Sequence, residues 1–262
     1  MTDSDKDLER ARYDARARAE LLRNATTAQL KLGSQQMPQY LRAAYEMYEA
    51  RITELLRPGQ RVLELGSGAG MHTLVLLQTG ADVVASDISS ESLVLLKAKF
   101  DGFGGQLQTQ VADMEKTPFP SASFDAVVSA GSLSYGEPAL VDAEVGRLLR
   151  PGGMLICVDS LNHHPIYRFN RWLHHVRGDR SVSTLRRMPN LTRIQSLSQG
   201  FAQVELGFFG ALSYLMPLMT RITGENTARA LSDRFDRLVG VRRAAFKFVL
   251  VARDRRPAAD NT

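Results

Sequence analysis

Between Arg61 and Asp87 the chain reads as a strand (Arg61-Val-Leu-Glu-Leu65), a turn with glycines at 66, 68 and 70, a short apolar helix, and a second strand from Asp82 to Ser86 that runs into Asp87. Such a stretch has few structural uses. Short apolar runs of this kind predict strands covered on both faces, and a helix joining two of them predicts parallel pairing. The glycines permit a tight turn and let a ligand press against bare backbone. Asp87 falls beside that turn, where its carboxylate can accept hydrogen bonds from a pair of ribose hydroxyls. We therefore expect a site for an adenosine-containing cofactor. A dinucleotide-binding turn would carry its third glycine where Met71 stands; here it comes one residue earlier.

The same alternation continues. A charged helix is expected from about Asp3 to Arg23, and an amphipathic one from Tyr40 to Leu56. A helix from about Gly70 to Gln78 is stopped by Gly80, and Ser89 reads as the N-cap of a helix running to about Phe100. Strands are expected at Gln106 to Val111, Phe124 to Ser129 and Met154 to Val158, with a helix opened by Pro138 between the last two. Asn190 to Gly200 reads as a helix, Gln203 to Phe209 and Ala245 to Ala252 as strands, and 211–240 as a helical insertion. Strands and helices alternating in this way predict a doubly wound α/β sheet. We divide the chain into a helical cap (1–56), a cofactor-binding core (57–160) and the second half of the same sheet (161–262), with substrate-covering insertions at 161–189 and 211–240.

Four segments together, Glu64-x-Gly66-x-Gly68-x-Gly70, Val111-Ala-Asp113-Met-Glu-Lys-Thr-Pro-Phe119, Ser123-Phe-Asp-Ala-Val-Val128 and Leu148-Leu-Arg-Pro-Gly-Gly-Met-Leu155, resemble the class I S-adenosylmethionine (SAM) dependent methyltransferases in order and spacing. The resemblance implies a Rossmann-like sheet of seven strands, mostly parallel, with the last strand antiparallel between the fifth and sixth. It implies SAM as cofactor: Asp87 on the ribose, Asp113 and Met114 around the adenine, and Glu64, Gly66 and Gly68 near the methionine part. Ser67, Gly70 and Ile88 complete the cofactor set, and Ser129 and Ala130 flank the methyl-transfer axis. Glu64 suits a cationic methionine moiety better than an anionic pyrophosphate. The segment from Asn162 to Arg193 is also similar to methyltransferases associated with bacterial surface-polysaccharide synthesis.

Methyl transfer to a hydroxyl needs alignment and a proton acceptor. His163 and His164 follow the fifth strand on the edge where open α/β sheets bind ligands, with Asp159 and Tyr135 at the same rim. These four are the candidate catalytic residues. Ser129-Ala-Gly-Ser-Leu-Ser-Tyr135 replaces the Asn/Asp-Pro-Pro-aromatic tetrapeptide of nucleic-acid amino methylases, and the single cysteine, Cys157, falls inside a strand, which excludes a cysteine nucleophile. No Asp/Asn/His cluster suggests a metal.

The expected acceptor is a small molecule, possible classes being phosphate-bearing or lipid-linked compounds, methylated at oxygen, with a sugar or glycoconjugate as first choice. Two other readings stay open. The net charge is +5, and Arg168, Arg171, Arg177, Arg180, Arg186, Arg187 and Arg193 face only Asp179 in their stretch, which could serve an RNA substrate. A SAM-binding regulator without turnover is the other. One cysteine, a polar acidic start and no apolar run long enough to span a bilayer lead us to expect a cytoplasmic protein without a secretory signal. His174 and His175 beside Trp172 read as structural, and Leu206 to Met219 as core, lid or dimer contact before membrane-surface element.

Overall fold

The computed structural model of the chain describes residues 3–22, 30–163, 166–167, 186–238 and 242–256. Alternation along the first strand, β1 (Arg61–Leu65), sets the layers. Val62 joins one buried cluster and Leu63 and Leu65 join another, on opposite faces of the sheet. The remaining strands are β2 (Asp82–Asp87), β3 (Leu107–Val111), β4 (Phe124–Ala130), β5 (Leu149–Ser160), β6 (Phe201–Phe209) and β7 (Lys247–Arg255), in the order β3-β2-β1-β4-β5-β7-β6. β7 runs antiparallel to both β5 and β6, and the pairings among the first five strands are parallel. The sheet implied by the resemblance is the one observed.

Helices cover both faces. α2 (Arg42–Leu55), α3 (Thr73–Gln78) and α4 (Ser90–Lys99) lie on the first cluster, where Tyr48, Ile52, Leu76 and Leu96 pack against Val62, Val83, Val128 and Val249. α5 (Pro138–Leu148) and α6 (Leu191–Ser198) lie on the second, where Val141, Leu148 and Ile194 meet Leu63, Val127, Leu155 and Phe248. Cys157 sits in this second core and burial pushes its thiol well up, so it is inert packing. Ser89 caps its helix as expected from sequence, accepting the Ser92 N–H, and Asn190, read as helical, instead caps the helix that starts at Leu191 by accepting the Arg193 N–H.

Two features differ from the expectations, whereas the 211–240 segment is helical as expected. β5 begins at Leu149 rather than Met154, because Leu149 already pairs with Phe124 across a register shift and the Arg-Pro-Gly-Gly turn is absorbed into the strand. The N-terminal 56 residues do not act as one cap. α1 (Asp3–Leu22) lies across the cavity described below, whereas α2 is part of the core. In the 211–240 segment the described helices are α7 (Met216–Thr223) and α8 (Glu225–Leu238), packed on each other near β6. Residues 168–185, including Arg168, Arg171, Trp172, His174, His175, Arg177 and Arg180, lie outside the described residues, as does His164.

Candidate active site

Parallel strands leave their carboxyl ends on one edge, and β1, β2 and β4 there end beside a cavity of about 930 Å3. That volume is at the upper end of the usual small-molecule range of roughly 300–1,000 Å3. The glycine turn forms its floor. Gly66, Gly68 and Gly70 all have positive φ, and a Cβ on Gly66 would collide with Ser132 while one on Gly70 would collide with Phe100. A Cβ on Gly68 would meet no protein atom within 4 Å, so at that point the backbone is bare to the cavity.

The acidic residues sit where local backbone can hold them. Asp87 accepts the Gly68 N–H (2.8 Å) and the Ser89 N–H (2.9 Å), one on each oxygen. Burial raises its pKa, and those N–H groups with that of Ile88 pull it back. Glu64, on the same sheet face as Val62, accepts the Thr73 hydroxyl at 2.6 Å. Burial pushes its carboxyl up to about 8, opposed by that hydroxyl and reinforced by the charge of Asp87. Asp113 accepts the Glu115 N–H and an ion pair from Lys6, which also reaches Glu115 at 2.7 Å.

α1 roofs this side of the cavity through polar contacts. Besides Lys6, the Tyr13 hydroxyl donates to that of Tyr135 (2.8 Å), Asp14 accepts the Ser89 hydroxyl (2.6 Å), and Glu20 pairs with Lys99 (2.8 Å). The opposite wall is the loop of residues 30–37, tied down where the Ser34 N–H donates to Glu49 of α2 at 2.7 Å.

Beneath that loop lies His72, which sequence reading passed over as helix. It is 93% buried and lines the cavity. Its ring stacks on Tyr45 (centroids 5.2 Å apart, planes 6° apart) and meets Tyr48 edge-on at 5.8 Å. Nδ1 is buried without a partner against Gly33, which leaves Nε2 as the nitrogen through which the ring can meet a ligand. Burial, and then the charge of Lys247, lower its pKa to about 4, so the ring is neutral at pH 7. The available signal was a histidine two residues past the third glycine, at the carboxyl edge of the first strand.

Of the residues singled out from sequence, Glu64, Gly66, Ser67, Gly68, Gly70, Asp87, Ile88, Asp113, Met114, Ala130 and Tyr135 line this cavity. Ser129 lies beneath it, 1% exposed, with its hydroxyl on that of Ser132. Asp159 and His163 are not brought to it. Asp159 is 2% exposed and accepts the Leu133 and Ser160 N–H groups, fixing the loop after β4. His163 Nε2 accepts the Leu191 N–H at the start of α6. His163 follows β5 as expected and Asp159 falls within its last residues, but their side chains satisfy backbone N–H groups instead of facing the cavity. Arg187 and Arg193 are likewise internal: Arg187 pairs with Glu137 and Asp5, and Arg193 binds Asp142 and the Leu133 carbonyl.

A sheet of this order with an acidic, glycine-rich site at its carboxyl edge is the arrangement that the resemblance to class I methyltransferases implied. Residues 63–157 match the family described as "Methyltransferase domain", in agreement with the resemblance of the sequence to the class I SAM-dependent methyltransferases. It is 40% identical over 96 residues to an uncharacterized methyltransferase of Mycobacterium tuberculosis, covering 37% of this chain and 38% of the relative. It is 33% identical over 127 residues to a demethylmenaquinone methyltransferase of Clavibacter sepedonicus, covering 47% of this chain and 51% of the relative. The chain thus matches less than two thirds of the length of these relatives. Its fold is similar to that of geranyl diphosphate C-methyltransferase from Streptomyces coelicolor (TM-score 0.55, 17% identity, 80% of this chain and 78% of that one).

Proposed function

We propose that the protein transfers a methyl group from SAM to a hydroxyl of a small ring compound, the class that includes sugars and reduced quinones. The observation that carries this is a single cavity with two chemically distinct walls: Glu64, the glycine turn, Asp87 and Asp113 on one, and Tyr45 with the neutral His72 on the other.

The first wall fits SAM. The Ser67 hydroxyl is buried without a partner, the backbone at Gly68 leaves room for a ligand, and three carboxylates suit a molecule with ammonium, ribose and amino groups to satisfy. Asp87 would accept from the ribose hydroxyls, Glu64 would meet the ammonium, and Asp113 would face the adenine amino group. When bound, SAM supplies an electrophilic methyl on a sulfonium sulfur.

On the second wall, Tyr45 and His72 give a flat surface for the acceptor ring, and α1 with the 30–37 loop excludes water. His72 Nε2 accepts the hydrogen bond of the acceptor hydroxyl and orients its lone pair. With the C–S bond of the sulfonium breaking to leave the neutral thioether as the C–O bond forms, the acceptor oxygen would become strongly acidic and His72 Nε2 would take its proton. A protonated ether is a far stronger acid than an imidazolium, so even a ring of lowered basicity can take that proton. Several other ionisable groups of the cavity are engaged: Asp113 and Glu20 in ion pairs, Tyr13 and Tyr135 with each other. The engagement of Arg187 and Arg193 in internal pairs supports a small acceptor over RNA.

The test is calorimetry with SAM, followed by an assay of S-adenosylhomocysteine formation against sugars, glycoconjugates and reduced naphthoquinones. Saturable SAM binding with turnover on one acceptor class is the expected result. No SAM binding would refute the reading, and binding without turnover on any acceptor would favour a regulator.

A further inference from the structure

α7 is amphipathic in an unusual direction. Met216 is its single buried residue, while Leu215, Leu218 and Ile222, one face at helical spacing, are 42%, 60% and 70% exposed. Tyr214 stands exposed just before it, and α8 adds Leu231 and Leu238 at its surface. Large side chains clustered this way mark an interaction surface. The charge around them is predominantly positive. Arg221, Arg234, Arg237, Arg242 and Arg243 are exposed, and among the described residues none is paired with a carboxylate. Of the acids in the same stretch, Asp233 is paired with Arg229 and Asp236 accepts the N–H groups of Gly210 and Ala211, which leaves Glu225.

We propose that α7, with the exposed edge of α8, docks the protein in the plane of an anionic lipid surface. Leu215, Leu218 and Ile222 enter the acyl boundary, and the arginines meet lipid phosphates. No helix among the described residues is long and apolar enough to cross a bilayer, so the contact is peripheral. A second copy fits this face poorly. A two-fold contact sets the same patch against itself and would bring arginine against arginine in a dehydrated interface. The contact stands whatever the cavity methylates, since it uses none of the residues lining it.

The test is sedimentation of the full chain with vesicles of phosphatidylcholine alone and of phosphatidylcholine mixed with phosphatidylglycerol. Binding is expected on the mixed vesicles, weaker by at least about tenfold on the neutral ones, and reduced by high salt. The Leu218→Ser/Ile222→Ser double variant should lose about tenfold or more, and Arg221→Gln/Arg237→Gln a smaller part, both with unchanged melting temperature because these side chains are exposed. Absence of binding to the mixed vesicles, or equal binding by the double variant, would overturn the proposal. So would a concentration-dependent dimer in analytical ultracentrifugation that the double variant abolishes, since a second copy would then own the face.

Discussion

The imidazole of His72 lies flat on the ring of Tyr45, and the Lys247 ammonium sits 5.0 Å from the centroid of the same ring. Lys247 is itself buried, with the Ser160 hydroxyl at 3.3 Å. The cation acts with burial to keep His72 neutral, and the stack fixes the plane in which its Nε2 is offered.

If His72 takes the acceptor proton, His72→Ala should bind SAM with unchanged affinity and lose roughly 10²–10⁴ in turnover. Accepting at Nε2 also requires the ring proton on Nδ1, under Gly33. Nitrogen-15 spectra of the wild type should report that tautomer, with the ring neutral from pH 7 down to about pH 5. A cationic ring at pH 7, or full turnover in His72→Ala, would remove it from the mechanism.

Gly33 has ordinary helical dihedrals, so alanine is acceptable to its backbone, yet a Cβ there would fall 2.1 Å from His72 Nδ1. Gly33→Ala is expected to destabilise by about 1–3 kcal/mol through overpacking, or to lift the 30–37 loop. Thermal denaturation and tryptic cleavage between residues 30 and 37 distinguish the two, and an unchanged melting temperature with an intact loop would contradict the contact.

Asp87→Ala should weaken SAM binding by at least about tenfold, since each charge-assisted hydrogen bond to the ribose contributes about 1.5–3 kcal/mol. Unchanged affinity by calorimetry would show that Asp87 does not hold the cofactor.

Glu64 couples the site to pH. Its carboxyl ionises near 4.5 in an unfolded chain and near 8 in the fold, so the folded state holds the proton more tightly. Stability from this group is fully present below pH 4.5 and is lost as pH rises through about 8. Melting temperatures of the wild type should therefore carry a downward component across that window that Glu64→Gln lacks. A neutral Glu64 must also ionise to meet an ammonium. Calorimetry at pH 7 in buffers of different ionisation enthalpy should reveal proton release on SAM binding, absent in Glu64→Gln.

α1 is held by Lys6, Tyr13, Asp14 and Glu20 with little apolar area; Ala17 is its only buried hydrophobic residue among those described. Lys6→Ala should raise amide exchange in α1 about tenfold and speed SAM release, with α4 protection unchanged. Equal exchange in both proteins would mean that the ion pairs to Asp113 and Glu115 do not close the roof.

What was legible in the sequence was what neighbouring residues enforce. The strand-turn-helix of residues 61–78, the Ser89 cap, and the placement of Asp87 beside Gly68 depend on spacing over a few residues and on backbone conformations that glycine alone adopts readily. The order of the sheet followed from the family resemblance, because those local units assemble in few ways. What only the tertiary structure decided was which histidine meets the cavity. His163 and Asp159 are on the right edge, but their side chains satisfy backbone N–H groups of Leu191, Leu133 and Ser160. His72 becomes a candidate base through Tyr45, Gly33 and Lys247, residues 27, 39 and 175 positions away in sequence. No local pattern records such contacts, because the environment that fixes a side chain's protonation and direction is assembled by packing between distant segments.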